Sequence, residues 1–339
     1  MRKPLVAVAS LGGTITMTSE TGSSVGVTPT LGVEQLLATV PGLSDAARLQ
    51  TKTLAGLPGA SLGFADVLEA LMWARTTVEA GADGVVLVQG TDTLEETAYL
   101  LDLHWERPEP IVVTGAMRAP QTAGSDGPAN LLAAVLVAGA KHSRHLGVLV
   151  VMNDEVHAAA RVRKVHSTAV EAFRSPTFGP LGHLNEGGVA YGNRPVRWPH
   201  LPLPADGPTP RVALLETCLG DTGNLLTAAV DAGYDGAVIG AFGVGHVSAA
   251  FAEVISKATE VLPVVLATRT GAGTTLTRTY GFVGSESDLL KRGVIPAGWL
   301  DPRKARILLW SLLASQHGKE EIQRQFATRG GHPGGAGTH

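Results

Sequence analysis

The stretch Val85-Val86-Leu87-Val88-Gln89-Gly90-Thr91-Asp92-Thr93-Leu94-Glu95-Glu96 constrains the fold of this chain more than any other. An apolar run breaks off in a polar turn, and an acidic helix start follows at once. This is a strand-turn-helix unit. A second one begins at Pro4-Leu5-Val6-Ala7-Val8-Ala9, which reads as a buried strand leading directly into Gly12-Gly13-Thr14. Repetition of such units predicts a parallel sheet flanked by helices, in which ligands collect beyond the carboxyl ends of the strands. Both turns deliver hydroxyls to that edge, and the glycine pair lets a small substrate approach Thr14 without a side chain in the way.

The same rhythm continues along the chain. A helix is predicted from about Gly32 to Pro41, after a Thr/Ser/Gly-rich loop, Thr16 to Thr30, that is a candidate lid. A longer amphipathic pattern from Ser61 places Leu62, Val67, Leu68, Leu71 and Met72 on one face. Helix 94–105, strand 111–113, the turn Thr114-Gly115-Ala116-Met117-Arg118, helix 128–138 and strand 148–152 follow. Six prolines from Pro195 to Pro210 suit neither a helix nor a central strand. The expected fold is therefore α/β, with a larger N-terminal α/β domain (1–193) built on a mainly parallel sheet. A proline-rich linker (194–210), a smaller C-terminal α/β domain (211–329) and a disordered tail (330–339) complete it. In the second domain strands are expected at 211–215, 236–240 and 264–268, and helices at 222–232, 247–260 and around 302–316.

A chain of 339 residues, 44% hydrophobic and 17% charged, is long enough for two such cores. A net charge of -3 without any lysine- or arginine-rich run leaves no footprint for nucleic acid or an anionic membrane. Small-molecule chemistry is what remains. The single cysteine, Cys218, excludes an intrachain disulfide and reads as a small core residue. Residues 5–17 read as a strand with its glycine pair and not as a secretory signal, and no apolar stretch is long enough for a bilayer, so a cytoplasmic protein is expected.

A threonine hydroxyl is a weak nucleophile and needs a base or a cation beside it. Asp92 adjoins Thr91, and Lys164 lies in the polar segment Arg161-Val162-Arg163-Lys164-Val165-His166. A Thr–Lys–Asp relay would set the lysine amine against a threonine hydroxyl, with the aspartate holding the lysine and backbone N–H groups of the turns serving an oxyanion. Plainer readings stay open on these motifs. Gly-Gly-Thr after a strand is also a tight turn with a capping hydroxyl, Thr93 to Glu96 has capping-box spacing, and Lys164 could be a solvated charge. His157, His166, His183 and His246 lack metal-ligand spacing and read as structural or solvated.

Taken together, the strings resemble the bacterial-type L-asparaginases. Gly12-Gly13-Thr14-Ile15, Gln89 to Ala98, Thr114 to Arg118, Asp126-Gly127-Pro128-Ala129-Asn130 and Gly147 to Asp154 carry the resemblance in the first half, and Val230 to Gly236 and Leu300 to Arg306 in the second. Each string is weak alone, whereas their ordered coexistence is specific. The resemblance implies hydrolysis of a side-chain amide through an acyl-threonine ester, with no metal or cofactor. It implies Thr14 as nucleophile, Thr91, Asp92 and Lys164 as the second triad, Asp92 at the substrate α-amino group, and Gly90 and the Ala116 backbone at the substrate. It further implies a homotetramer of close dimers, each active site completed by the partner's C-terminal domain.

Three departures stand out. Gln89 occupies the place of a histidine usual in the family, the candidate lid contains no tyrosine, and the Gly-Ser pair that holds the substrate α-carboxylate has Gly59-Ala60-Ser61 as its nearest counterpart. Ser61 is then either a shifted clamp or the N-cap of the helix 61–80. L-Asparagine is the expected substrate. The rivals are the same chemistry on glutamine, a D-amide or a modified metabolite, and a non-catalytic module that binds aspartate or asparagine.

Overall fold

The structure is a computed structural model describing residues 2–18, 28–29, 32–38, 40–205 and 207–331. The chain divides into two compact units, 1–200 and 201–339. In the first, the described residues form an eight-stranded sheet. Its spatial order is Gly188–Tyr191, Gly182–Asn185, Glu155–Ala158, Val148–Met152, Ile111–Thr114, Gly84–Val88, Leu5–Gly12 and Arg48–Leu57. Neighbours run parallel from Val148–Met152 to Arg48–Leu57, and the remaining three strands are antiparallel.

The apolar runs explain the layering. Val86 and Val88 join Val6, Val8 and Val112 in one core with Leu131 and Val135 of the helix Gly127–Gly139. Val85 and Leu87 point the other way and are equally buried, so both faces of the sheet are covered, as an uninterrupted apolar strand requires. The helices Phe64–Glu79 and Leu94–His104 pack on each other within this unit. The second unit repeats the plan with a parallel sheet of Val212–Glu216, Gly236–Ala241, Val264–Thr268 and Ile295–Pro296. Phe251 and Ile255 of the helix Ala249–Thr259 fill its core.

Several local expectations are corrected. Met72 is exposed rather than part of the inner face of its helix, where Val67, Ala70, Leu71 and Ala74 are buried instead. Cys218 is exposed, not a core residue, because it lies just beyond the end of the strand Val212–Glu216. Regular structure does not stop near Gln316: Lys319–Gly330 forms a further helix that buries Ile322 and Phe326. The proline-rich stretch is tied down on both sides of the division. Arg197 Nη2 donates to Trp105 O at 3.0 Å in the first unit, and Ala205 N to Ala314 O at 2.9 Å in the second.

Candidate active site

Three adjacent strands of the first sheet end in glycines that touch. A Cβ on Gly13 would lie 2.0 Å from Gly90 N, and one on Gly90 would lie 2.8 Å from Gly59 N. Only glycine permits this approach, and Gly13 also holds a φ of +90° that L side chains rarely adopt. Thr14, Thr91 and the Gly59–Ser61 turn therefore leave the sheet from one shared point. Thr93 fastens it, its Oγ1 donating to Gly59 O at 2.8 Å. That hydroxyl is thus spent across the turn and makes no cap bond to its own helix, so the capping-box reading fails.

Thr91 is buried at this point, while the Asp92 carboxylate next to it is two-thirds exposed. Lys164 reaches them from another part of the chain. It lies in a two-stranded ribbon, Arg163–Lys164 paired antiparallel with Phe173–Arg174, rather than in the polar loop expected from sequence. Its Nζ donates to Thr91 Oγ1 at 2.9 Å and to Asp92 Oδ1 at 3.0 Å, with the side chain 17% exposed. The solvated-charge reading of Lys164 does not survive this geometry. Lys164 thus comes from more than 70 positions away to within hydrogen-bond distance of two neighbouring residues, as a proton relay requires.

Ala116 sits in the turn after Ile111–Thr114 and is almost wholly buried. Asp126 accepts from Met117 N and Arg118 N at 2.9 Å each, and Asn130 Nδ2 donates to Gly115 O at 3.0 Å. These two side chains fix the turn's backbone. Sequence reasoning quoted both residues without giving them that task, since nothing in spacing alone ties 126 to 117. Ser61 is exposed, its N–H closing on Pro58 O at 2.9 Å. It does not cap a helix. The helix starts at Phe64, and the N–H of Gly63 before it donates to Asp66 Oδ2 at 2.8 Å. Most of the candidate lid, 16–30, lies outside the described residues. Among the described residues no group of three or more His, Cys, Asp or Glu could hold a metal ion.

Residues 5–197 match the asparaginase N-terminal family model, and residues 211–326 match the glutaminase/asparaginase C-terminal domain. The chain belongs to the asparaginase family. L-asparaginase 2 of Escherichia coli is 33% identical over 329 residues, covering 95% of this chain and 92% of that protein. The glutaminase-asparaginase of Pseudomonas fluorescens is also 33% identical, over 335 residues, covering 95% and 89%. A crystal structure of a probable cytoplasmic L-asparaginase from Campylobacter jejuni superimposes with a TM-score of 0.83 at 30% identity, over 96% of this chain and 99% of that one. Against this asparaginase background Gln89 can be placed: it is fully buried, with Nε2 donating to Gly90 O at 3.2 Å and Oε1 buried without a partner among the described residues.

Proposed function

We propose that this asparaginase-family chain is an amidohydrolase converting L-asparagine to L-aspartate and ammonia. The observation that carries the reading is Lys164 Nζ held between Thr91 Oγ1 and Asp92 Oδ1, one residue from the Gly90–Gly13 contact that also delivers Thr14. In the proposed course, Thr14 Oγ1 bonds to the side-chain amide carbon and its proton passes to the departing nitrogen. The C–N bond breaks, ammonia leaves, and an acyl-threonine ester remains. Water then adds to the ester carbonyl, and Thr14 recovers its proton as the product carboxylate departs.

Thr91, Lys164 and Asp92 form the proton relay. The 2.9 Å contact between Lys164 Nζ and Thr91 Oγ1 is the path along which the proton moves, while Asp92 orients the lysine and meets the substrate α-amino group. Backbone at Gly90 and Ala116 lines the scissile amide, and Ser61 is assigned to the α-carboxylate. The proposal includes a cytoplasmic location and a homotetramer built as a dimer of dimers, for which sedimentation of the purified protein is the check.

The experiment is ammonia release from L-asparagine by the wild type and by Thr14→Ala. Loss of a covalent nucleophile should remove about 10³-fold or more of the turnover with the fold retained. Turnover like that of the wild type in Thr14→Ala would overturn the assignment. A second reading, hydrolysis of L-glutamine as well, is favoured by the name of the Pseudomonas fluorescens relative. The ratio of kcat/KM for the two amides separates them.

A further inference from the structure

Lys164 is carried by a ribbon with two residues in each strand, Arg163–Lys164 and Phe173–Arg174. So short a pairing constrains its backbone weakly, and the lysine stem adds rotatable bonds of its own. Nζ nevertheless meets two oxygens at 2.9 and 3.0 Å. The strongest fixed point on the Lys164 backbone comes from a different element. Glu95 Oε2 accepts a hydrogen bond from Lys164 N at 2.6 Å across 69 residues of sequence.

Glu95 is 2% exposed and belongs to the first turn of the helix Leu94–His104. The partial positive charge at a helix N-terminus favours a carboxylate there, and a carboxylate-to-N–H bond is of the strong, charge-assisted kind. The same short segment bears Thr91 and Asp92. Lys164 is therefore gripped at both ends by residues 91–95: its N–H by Glu95, its Nζ by Thr91 and Asp92. Because all three partners lie within five residues of one another, both grips on the lysine come from one helix start.

We propose that Glu95 is a positioning residue for the hydrolytic reaction, setting the distance and direction of Lys164 Nζ relative to Thr91. It acts through the lysine and touches no reacting atom. This rests on the reading of Thr91, Lys164 and Asp92 as a working relay, and the test separates the two. Misplacing a relay group by about 1 Å can cost about 100-fold in rate while leaving ground-state binding intact.

Glu95→Ala removes the acceptor, and Glu95→Gln keeps its size and one acceptor oxygen. Rates are normalised to folded protein and measured with L-asparagine. We expect kcat to fall about 100-fold in Glu95→Ala and about 10-fold in Glu95→Gln, with KM within about twofold of the wild type in both. In a Lys164→Met background, either Glu95 change should cost less than about twofold more, since the group it positions is gone. Equal losses with and without Lys164, or a change in KM in place of kcat, would overturn the proposal. If Glu95→Ala does not fold, Glu95→Gln alone and with Lys164→Met decides it. Full turnover in Lys164→Met would overturn the relay reading and this inference together. Loss in Lys164→Met with none in the Glu95 variants would overturn this inference alone.

Discussion

Both units are built around parallel strands, yet the polar clusters of their side chains are used in opposite ways. In the first, Thr91, Asp92 and Lys164 bond to one another at an edge where Asp92 stays largely exposed. In the second, Glu286 is completely buried and spends itself on backbone. It accepts from Thr279 N at 2.8 Å and Tyr280 N at 2.7 Å, and faces His246 Nε2 at 3.1 Å. Burial alone would raise its pKa, but the N–H donors of Tyr280, Glu286 and Thr279 and the His246 ring bring it below the ordinary carboxylate value. The lesson is that burial of a carboxylate is not by itself a catalytic signature. What distinguishes the first site is a carboxylate that stays two-thirds exposed while it holds a lysine against a threonine hydroxyl.

Lys164→Met tests this contrast with the largest expected effect. Removing the amine should lower kcat by about 10²- to 10⁴-fold, the range of a positioned proton-transfer group, while aspartate binding changes far less. Steady-state kinetics beside calorimetric aspartate binding read both quantities. If turnover were unchanged, the cluster at the first edge would be structural like its counterpart, and the contrast would vanish.

The complementary change is Glu286→Ala, which leaves the Thr279 and Tyr280 N–H groups without their acceptor. Each such loss costs about 1–3 kcal/mol, so the thermal midpoint of unfolding should drop by several degrees. Differential scanning calorimetry checks it, and a midpoint equal to the wild type's would show that the Glu286 bonds hold nothing.

The contrast also marks where sequence reading succeeds. Val85 to Val88 and Val148 to Met152 were legible as strands because continuous aliphatic runs are buried on both faces. The meeting of Thr14 and Thr91 at one edge was legible for the same reason, since parallel strands align their carboxyl ends. The ribbon that carries Lys164 was not, as two-residue strands have no periodicity to detect. The helix Lys319–Gly330 escaped because Ile322 and Phe326 are its main apolar contacts amid charged residues. Cys218 misled because residue type predicts burial only on average, and its position past a strand end decided otherwise.

His157 shows that the first unit also has a polar group devoted to structure, placed away from the strand carboxyl ends on the antiparallel side of the sheet. It is buried, shares a hydrogen bond of 3.0 Å with Ser175, and has its pKa lowered to about 4, first by burial and then by His183. The unfolded chain, with an ordinary value near 6.5, takes up a proton at higher pH than the folded one. Stability from the neutral ring is thus fully present above about pH 6.5 and is lost as pH falls toward 4, by up to about 3 kcal/mol. Urea unfolding at pH 7, 5.5 and 4.5 should show a shallower acid loss in His157→Gln than in the wild type. Identical slopes would mean that His157 charges in the folded state as readily as in the unfolded one.

The smallest expected effect belongs to Ser61, and it tests how far the open, ligand-facing character of the first edge extends. Ser61 follows Gly59, whose carbonyl is held by Thr93, and its own N–H is closed on Pro58, so the turn is fixed. The helix that Ser61 might have capped begins beyond Gly63 with Asp66 as the partner, which leaves the exposed residue with no part in starting it. If its hydroxyl holds the substrate α-carboxylate, that bond exists in ground and transition states alike, so Ser61→Ala should raise KM for L-asparagine and barely alter kcat. A single hydrogen bond to a charged group corresponds to about a tenfold rise. An amide lacking the α-carboxylate should be hydrolysed equally by both enzymes, because it never engaged the clamp. Equal effects on the two compounds would move the carboxylate site elsewhere on this edge, and would favour a substrate other than free asparagine.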